Sequence, residues 1–227
     1  MIERGLEEAE ARAFYDAYGK RLDLGEPFEG RAKALAREWL APVEGEWVLE
    51  VGVGCGHALA WIQERVGSAR VLGLDLSPTM LALSRTRAPS ARLVQGSIHA
   101  LPLADGAFDA LLSCYLLDLL PGARLVPALR ELARVVRPGG RLILCGLTGG
   151  ETLLERGLMA TWTAIHRLAP ARVGGCRPLA LAPLAARAGL LLERHAHVGQ
   201  LGVPSEVLAL RAPAVAPSSS PADPASA

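Results

Sequence analysis

Three glycines on alternate positions, Gly52, Gly54 and Gly56, follow without pause on the apolar stretch Val48-Leu49-Glu50-Val51. A strand that runs into such a loop can bring backbone amides close to a ligand, because a Cβ at these positions would obstruct both the sharp turn and the approach. An acid stands at Asp75, 19 residues beyond Gly56, directly after the strand-like Ala69-Arg70-Val71-Leu72-Gly73-Leu74. A carboxylate at the tip of a second strand can accept hydrogen bonds from both hydroxyls of a ribose. Position 57 is His, so the Gly-x-Gly-x-x-Gly loop that cradles a dinucleotide is not completed. The pattern points to a nucleoside-bearing ligand and not to a phosphate.

Four segments in order extend the pattern: Leu49-Glu50-Val51-Gly52-Val53-Gly54-Cys55-Gly56, Gly73-Leu74-Asp75-Leu76-Ser77-Pro78-Thr79-Met80-Leu81, Ala100-Leu101-Pro102-Leu103-Ala104-Asp105-Gly106-Ala107-Phe108-Asp109, and Arg134-Val135-Val136-Arg137-Pro138-Gly139-Gly140-Arg141-Leu142. Together they resemble the class I S-adenosylmethionine-dependent methyltransferases, most closely the branch containing quinone-biosynthesis C-methyltransferases and related small-molecule enzymes. The resemblance covers residues 10–147 and weakens beyond them. It implies an α/β, Rossmann-like, doubly wound fold whose mostly parallel seven-stranded sheet ends in a C-terminal antiparallel hairpin.

The cofactor implied is S-adenosyl-L-methionine, with no metal. Its site would be built from Tyr18, Glu50, Gly52, Gly54, Gly56, Asp75, Leu76, Ser97, Ile98 and Ser113. In that arrangement the glycine loop approaches the methionine and ribose parts, Glu50 lies near the amino group, Asp75 holds the ribose hydroxyls and Leu76 packs on the adenine face. Family members often carry an Asp after the glycine that follows the third strand, where it receives the adenine amino group. Here Gly96 is followed by Ser97, so the Ser97 hydroxyl or the Ile98 amide is left to read that edge without charge assistance.

The implied activity is methyl transfer to a small, apolar or amphipathic acceptor: a quinone-like ring, a lipid amine or a thiol. Two alternatives are an NAD(P)-dependent oxidoreductase and a non-catalytic S-adenosylmethionine-binding protein. Displacement at a sulfonium methyl needs no obligatory catalytic residue, since orientation alone can supply ~7 to 11 kcal/mol of barrier reduction. A base matters only where the nucleophile must lose a proton. Tyr115 and Asp118 at the end of the fourth strand, and His166 downstream, are the candidates; a core tyrosine, a capping aspartate and a structural histidine are the competing readings.

The elements that must position these groups alternate along the chain. Helices are expected over residues 2–20 and 30–40, a strand over 47–51, a helix over 58–66, a strand over 69–75 and a helix over 78–87, where Ser77 caps and Pro78 starts the first turn. Strands over 92–95 and 107–114, a helix over 122–136 stopped by Pro138-Gly139-Gly140, and a strand over 141–146 complete the alternation. A helix over 151–168, a shorter one over 182–188 and strands over 190–197 and 206–211 follow.

The resulting organisation is an N-terminal helical lid over residues 1–46 and a core over 47–211 that includes an insertion at 148–188. A disordered Ala/Pro/Ser tail over 212–227 follows. Phe14-Tyr15-Asp16-Ala17-Tyr18 is similar to a segment that closes over the cofactor in this branch, and core packing would explain it as well. Leu153, Leu154, Leu158, Met159, Trp162 and Ile165 read as a cover over a hydrophobic substrate or as the buried face of a helix. Arg177 reads as an anion contact or a loop anchor.

With 24 basic and 23 acidic residues spread throughout, the net charge is +1. This argues against a nucleic-acid stripe or a polybasic membrane patch. No apolar run approaches the ~20 residues of a membrane span, so no transmembrane segment is expected, while peripheral membrane contact and oligomeric state stay open. Cys55, Cys114, Cys145 and Cys176 form no Cys-x-x-Cys pair, and the first three, on or just after strands, read as small apolar fillers or as a thiol at the active-site mouth, in a reduced, cytoplasmic compartment.

Overall fold

In the computed structural model, which describes residues 5–214, seven strands form one sheet in the order β3-β2-β1-β4-β5-β7-β6. These are β1 (Val48–Val51), β2 (Val71–Asp75), β3 (Arg92–Gln95), β4 (Phe108–Cys114), β5 (Val136–Leu147), β6 (Leu191–Gln200) and β7 (Val203–Arg211). β1 to β5 pair with one another in parallel, while β7 is antiparallel to both β5 and β6. The expected doubly wound sheet with its C-terminal hairpin is therefore present. The chain begins at the centre, winds out to β3 and returns to β4, so the strand order reverses between β1 and β4. A crevice opens there, at the carboxyl ends of the strands.

Helices cover both faces: α1 (Glu8–Tyr18), α2 (Glu26–Leu40), α3 (His57–Val66), α4 (Pro78–Arg87), α5 (Gly122–Val135), α6 (Leu153–Leu168) and α7 (Leu181–Arg187). All four residues of β1 are buried, as a strand covered on both faces requires. One side packs Leu49, Val51 and Leu111 under Leu125, Leu129 and Leu132 of α5, with Leu181 and Ala185 of α7. The other packs Val48, Ala110 and Leu112 under Ala36 and Leu40 of α2 and Leu59 and Ile62 of α3.

Several boundaries differ from expectation for local reasons. α1 occupies Glu8–Tyr18 and not residues 2–20, because Gly19 takes a φ of +53° and the chain continues as 3-10 turns over Gly19–Gly25. Residues 2–4 of that expected helix lie outside the described residues. α2 starts at Glu26, four residues early, with Pro27 in its first turn and Gly30 in its interior. Pro138-Gly139-Gly140 does not end β5 but bulges out of its ladder with β4, between the pairs Phe108–Val136 and Ala110–Arg141. β5 runs through it, and the Gly139 amide donates to the Ala212 carbonyl at 3.1 Å while the Ala212 amide donates to Gly140 at 2.9 Å. Ala212, expected to begin a disordered tail, is thus buried at the end of the ladder; residues 215–227 of that tail lie outside the described residues.

α6 is fastened at its start by Glu155. One carboxylate oxygen accepts from the amides of Glu151 (2.9 Å) and Thr152 (3.0 Å), Thr152 Oγ1 accepts from the Glu155 amide, and His197 of β6 meets the other oxygen at 3.3 Å. Those amides, with His197, hold the Glu155 carboxyl down at about 2, against 4.5 ordinarily. Because the folded value is depressed, the stabilisation is present above about pH 4.5 and is lost as the pH falls toward 2. Glu155→Ala is expected to lower the melting temperature at neutral pH and to flatten its fall across that acid window, as thermal unfolding at a series of pH values would register.

Candidate active site

The crevice at the sheet reversal is a pocket of about 180 Å³. Its floor is the glycine loop. Gly52, Gly54 and Gly56 have φ values of +79°, +51° and +83°, conformations that L side chains rarely adopt. A Cβ at Gly54 would stand 2.8 Å from Leu22 of the 3-10 segment, which lies directly over the loop. That segment is latched by Asp23, which meets His57 at 3.1 Å and Arg87 at 2.8 Å, while Arg87 also donates to the Cys55 carbonyl. Burial raises the Asp23 carboxyl, but hydrogen bonds from Cys55 and His57 and the charge of Arg87 outweigh it and leave it below the usual range. Leu6, Glu8, Ala11, Arg12, Tyr15 and Leu22 of the N-terminal segment thus line the pocket.

Asp75 closes one end of the floor. Its carboxylate accepts from the Gly54 amide at 3.0 Å and from the Ser77 amide at 2.9 Å, and Asp75 and Leu76 both line the pocket. Burial raises its pKa and the amides oppose that rise. Glu50 lies midway. It is buried, one carboxylate oxygen has no hydrogen-bond partner, and burial pushes its pKa well up, with Arg37 and Lys33 of α2 pulling against the rise.

The other end is formed by Cys114, Tyr115, Tyr15, Cys176 and the α2 stripe Glu26, Glu29, Lys33 and Arg37. Tyr115 holds a φ of +53°, a strained value for a tyrosine, and its hydroxyl pairs with Ser205 Oγ at 2.7 Å. Lys33 is bonded to Glu26 (2.7 Å) and Glu29 (2.8 Å), with its ammonium 5.5 Å from the centre of the Tyr115 ring. Burial raises the phenols of Tyr15 and Tyr115 and the thiols of Cys145 and Cys176, so all four are neutral near pH 7.

Residues 48–140, which supply the glycine loop, Asp75, the β3 turn and Tyr115, match the family model described as a methyltransferase domain. These residues carry a methyltransferase domain with the class I, S-adenosylmethionine-dependent fold. It is 35% identical over 136 residues to a demethylmenaquinone methyltransferase of Thermus thermophilus, covering 57% of this chain and 59% of that one. It is 34% identical over 179 residues to a malonyl-[acyl-carrier protein] O-methyltransferase of Halorhodospira halophila, covering 74% and 59% respectively. The chain therefore spans about three fifths of the length of these relatives. Among solved structures, the [4+2]-cyclase SpnF superposes with a TM-score of 0.70 at 16% identity, over 94% of this chain and 99% of the cyclase. That likeness speaks for the fold alone.

The cofactor of that domain is S-adenosylmethionine, and the pocket fits it. A buried carboxylate with an unpartnered oxygen is costly unless a cation meets it, and Glu50 stands where the ammonium of a methionine moiety would do so. Asp75 offers acceptors for a ribose, and Leu76 and Ile98 offer apolar faces for a base.

Of the residues expected in this site, Glu50, Gly52, Gly54, Gly56, Asp75, Leu76, Ser97, Ile98 and Tyr115 do line the pocket. Tyr18 does not: it stacks on Phe14 with ring centres 5.2 Å apart, and Tyr15, three residues earlier on α1, faces the pocket instead. Ser113 is buried beneath the wall, donating to the Val51 carbonyl at 3.0 Å.

Asp118 is fully buried behind the wall and accepts from the Leu147 amide at 2.8 Å, with burial raising its pKa to about 7. It anchors β5 and does not face the pocket. His166 is buried on α6 with Nε2 3.1 Å from the Gly175 carbonyl, again outside the wall. Arg177 anchors its loop by donating to the Asp118 and Leu120 carbonyls.

The insertion's cover is likewise different from expectation. Leu153 and Leu154 are exposed, and among the described residues no α6 side chain lines the pocket and the insertion reaches it only through Cys176. Sequence reasoning missed the α2 stripe. Its spacing of three and four residues, from Glu26 through Glu29 and Lys33 to Arg37, is a helical face and was there to be read.

Proposed function

We propose that this protein transfers a methyl group from S-adenosylmethionine to a small acceptor bound at the Tyr115 end of the pocket. The observation that carries this reading is the order of groups across one crevice, set by the strand order β2-β1-β4: ribose acceptors at Asp75, the unpartnered Glu50 oxygen, then Tyr115. When bound, S-adenosylmethionine supplies an electrophilic methyl on a positively charged sulfur. The chain's own residues then orient and enclose. Glu50, arriving as a high-pKa carboxyl, ionises when a cation pairs with it. Leu22 and the Asp23 latch exclude water above the loop.

The phenols of Tyr15 and Tyr115 and the thiol of Cys176 are neutral near pH 7, and Glu26 and Glu29 are paired with Lys33, so this end favours acceptors that bring their own nucleophilic electron pair. A carboxylate has this character, which agrees with the name of the Halorhodospira halophila relative; a quinol ring carbon, which the name of the Thermus thermophilus relative suggests, would also have to release its proton to water after the methyl is attached. A lipid amine would need to enter unprotonated. Radiolabel transfer from S-adenosylmethionine into small molecules of a cell extract tests the reading. The expected result is a labelled organic-soluble or acidic product; cofactor binding without any labelled product would favour a non-catalytic binder.

A further inference from the structure

The pocket beyond Asp75 ends at the turn after β3, where Gly96, Ser97, Ile98 and His99 face the roof helix α1. The Gly96 amide donates to the Asp75 carbonyl at 3.0 Å, so this turn is fixed to the ribose-binding strand end. A nucleoside whose ribose meets Asp75 therefore presents its base between Leu76 and Ile98, with the base edge toward Ser97.

Ser97 is poorly equipped to receive an amino group. Its hydroxyl already accepts from the His99 amide at 3.0 Å, and its single proton is donated to a carboxylate oxygen of Glu8. Glu8 belongs to α1, 89 residues away in sequence, and lines the same pocket. A carboxylate has about four acceptor positions, of which Ser97 takes one.

We infer that Glu8, carried in by the lid, receives the exocyclic amino group of the adenine and so makes base recognition depend on lid closure. The inference rests on the cofactor reading above. It makes Glu8 the charged acceptor that the β3 turn itself lacks, while the Ile98 amide is left for a ring nitrogen. A 6-oxo base would instead point an oxygen at the carboxylate, a repulsive pairing. Glutamine at position 8 can turn either its carbonyl or its amide toward the edge, so it should tolerate both bases.

The test is titration calorimetry on the full chain with S-adenosylhomocysteine and S-inosylhomocysteine. The unsubstituted protein should prefer the adenine compound by about tenfold or more, and Glu8→Gln should reduce that preference to within about threefold. Glu10→Gln is the control for α1 itself, because Glu10 bonds the Glu7 amide at 3.1 Å and does not line the pocket; its preference should be unchanged. Thermal melts of each variant report folding separately.

Undiminished preference in Glu8→Gln would overturn the inference and leave the cofactor reading standing. Equal loss in both glutamine variants would show that α1 closes the pocket without reading the base, and would also overturn it. Failure of the unsubstituted protein to bind S-adenosylhomocysteine would overturn the cofactor reading and this inference together.

Discussion

Asp75→Ala is expected to lower the affinity for S-adenosylhomocysteine by at least about tenfold and to loosen the glycine loop in the same step. The carboxylate has two duties. It accepts from the Gly54 and Ser77 amides at 3.0 and 2.9 Å, and it faces the pocket where ribose hydroxyls would come. Hydrogen bonds to a charged acceptor contribute roughly 1.5–3 kcal/mol each, and about 1.4 kcal/mol is a factor of ten in affinity. Loss of a single ribose contact therefore reaches the expected effect, and loss of loop order adds to it.

Asp75→Asn separates the two duties. Its one carbonyl can satisfy one loop amide, but its NH2 group opposes the other, so a smaller affinity loss should accompany a measurable fall in melting temperature. Calorimetric titration and thermal unfolding of both variants check this. Unchanged affinity in Asp75→Ala would mean that the ribose lies elsewhere.

What the sequence made legible follows from the range of the interactions involved. The cofactor floor is local: Gly52, Gly54, Gly56, Asp75 and Leu76 sit on two strand ends whose geometry is set by a few neighbouring residues, and all of them line the pocket. The roof is not local. Leu22 over Gly54, Asp23 on Arg87, and Glu8 on Ser97 join residues 30 to 90 positions apart, through contacts that no periodicity records.

Tyr18 illustrates the difference. It shares a helical face with Tyr15, but α1 is rotated so that Tyr15 enters the pocket and Tyr18 stacks on Phe14, a choice fixed only by what α1 packs against. Asp118 fails for the same kind of reason. Its place after β4 suits a group aimed at substrate, yet the chain turns at Tyr115 and sends the carboxylate beneath the wall to the Leu147 amide.

The third glycine of the loop gives the other large effect, and its cause lies outside the pocket floor. In Gly56→Ala a methyl group would stand 2.7 Å from Ser84 Cα and 2.9 Å from Ser84 Oγ, and the residue would still have to hold a φ of +83°. The left-handed conformation costs an L-residue roughly 1–2 kcal/mol. Crowding against backbone adds about 1–3 kcal/mol, because Ser84 cannot rotate its Cα away.

Ser84 Oγ, moreover, donates to the Gly54 carbonyl at 2.9 Å, so displacing α4 from α3 pulls on the loop itself. A loss of about 2–5 kcal/mol is expected by urea unfolding with an unchanged slope. At Gly52 the nearest atoms to an added methyl are the side chain of Leu116, from 3.1 Å, which can turn aside. Gly52→Ala should accordingly cost less stability, and comparing the two variants tests whether helix packing or ligand approach demands each glycine. Equal destabilisation would refute the division. A larger loss at Gly56 would make the third glycine primarily the point where α3 and α4 touch, and only through them a determinant of the cofactor floor.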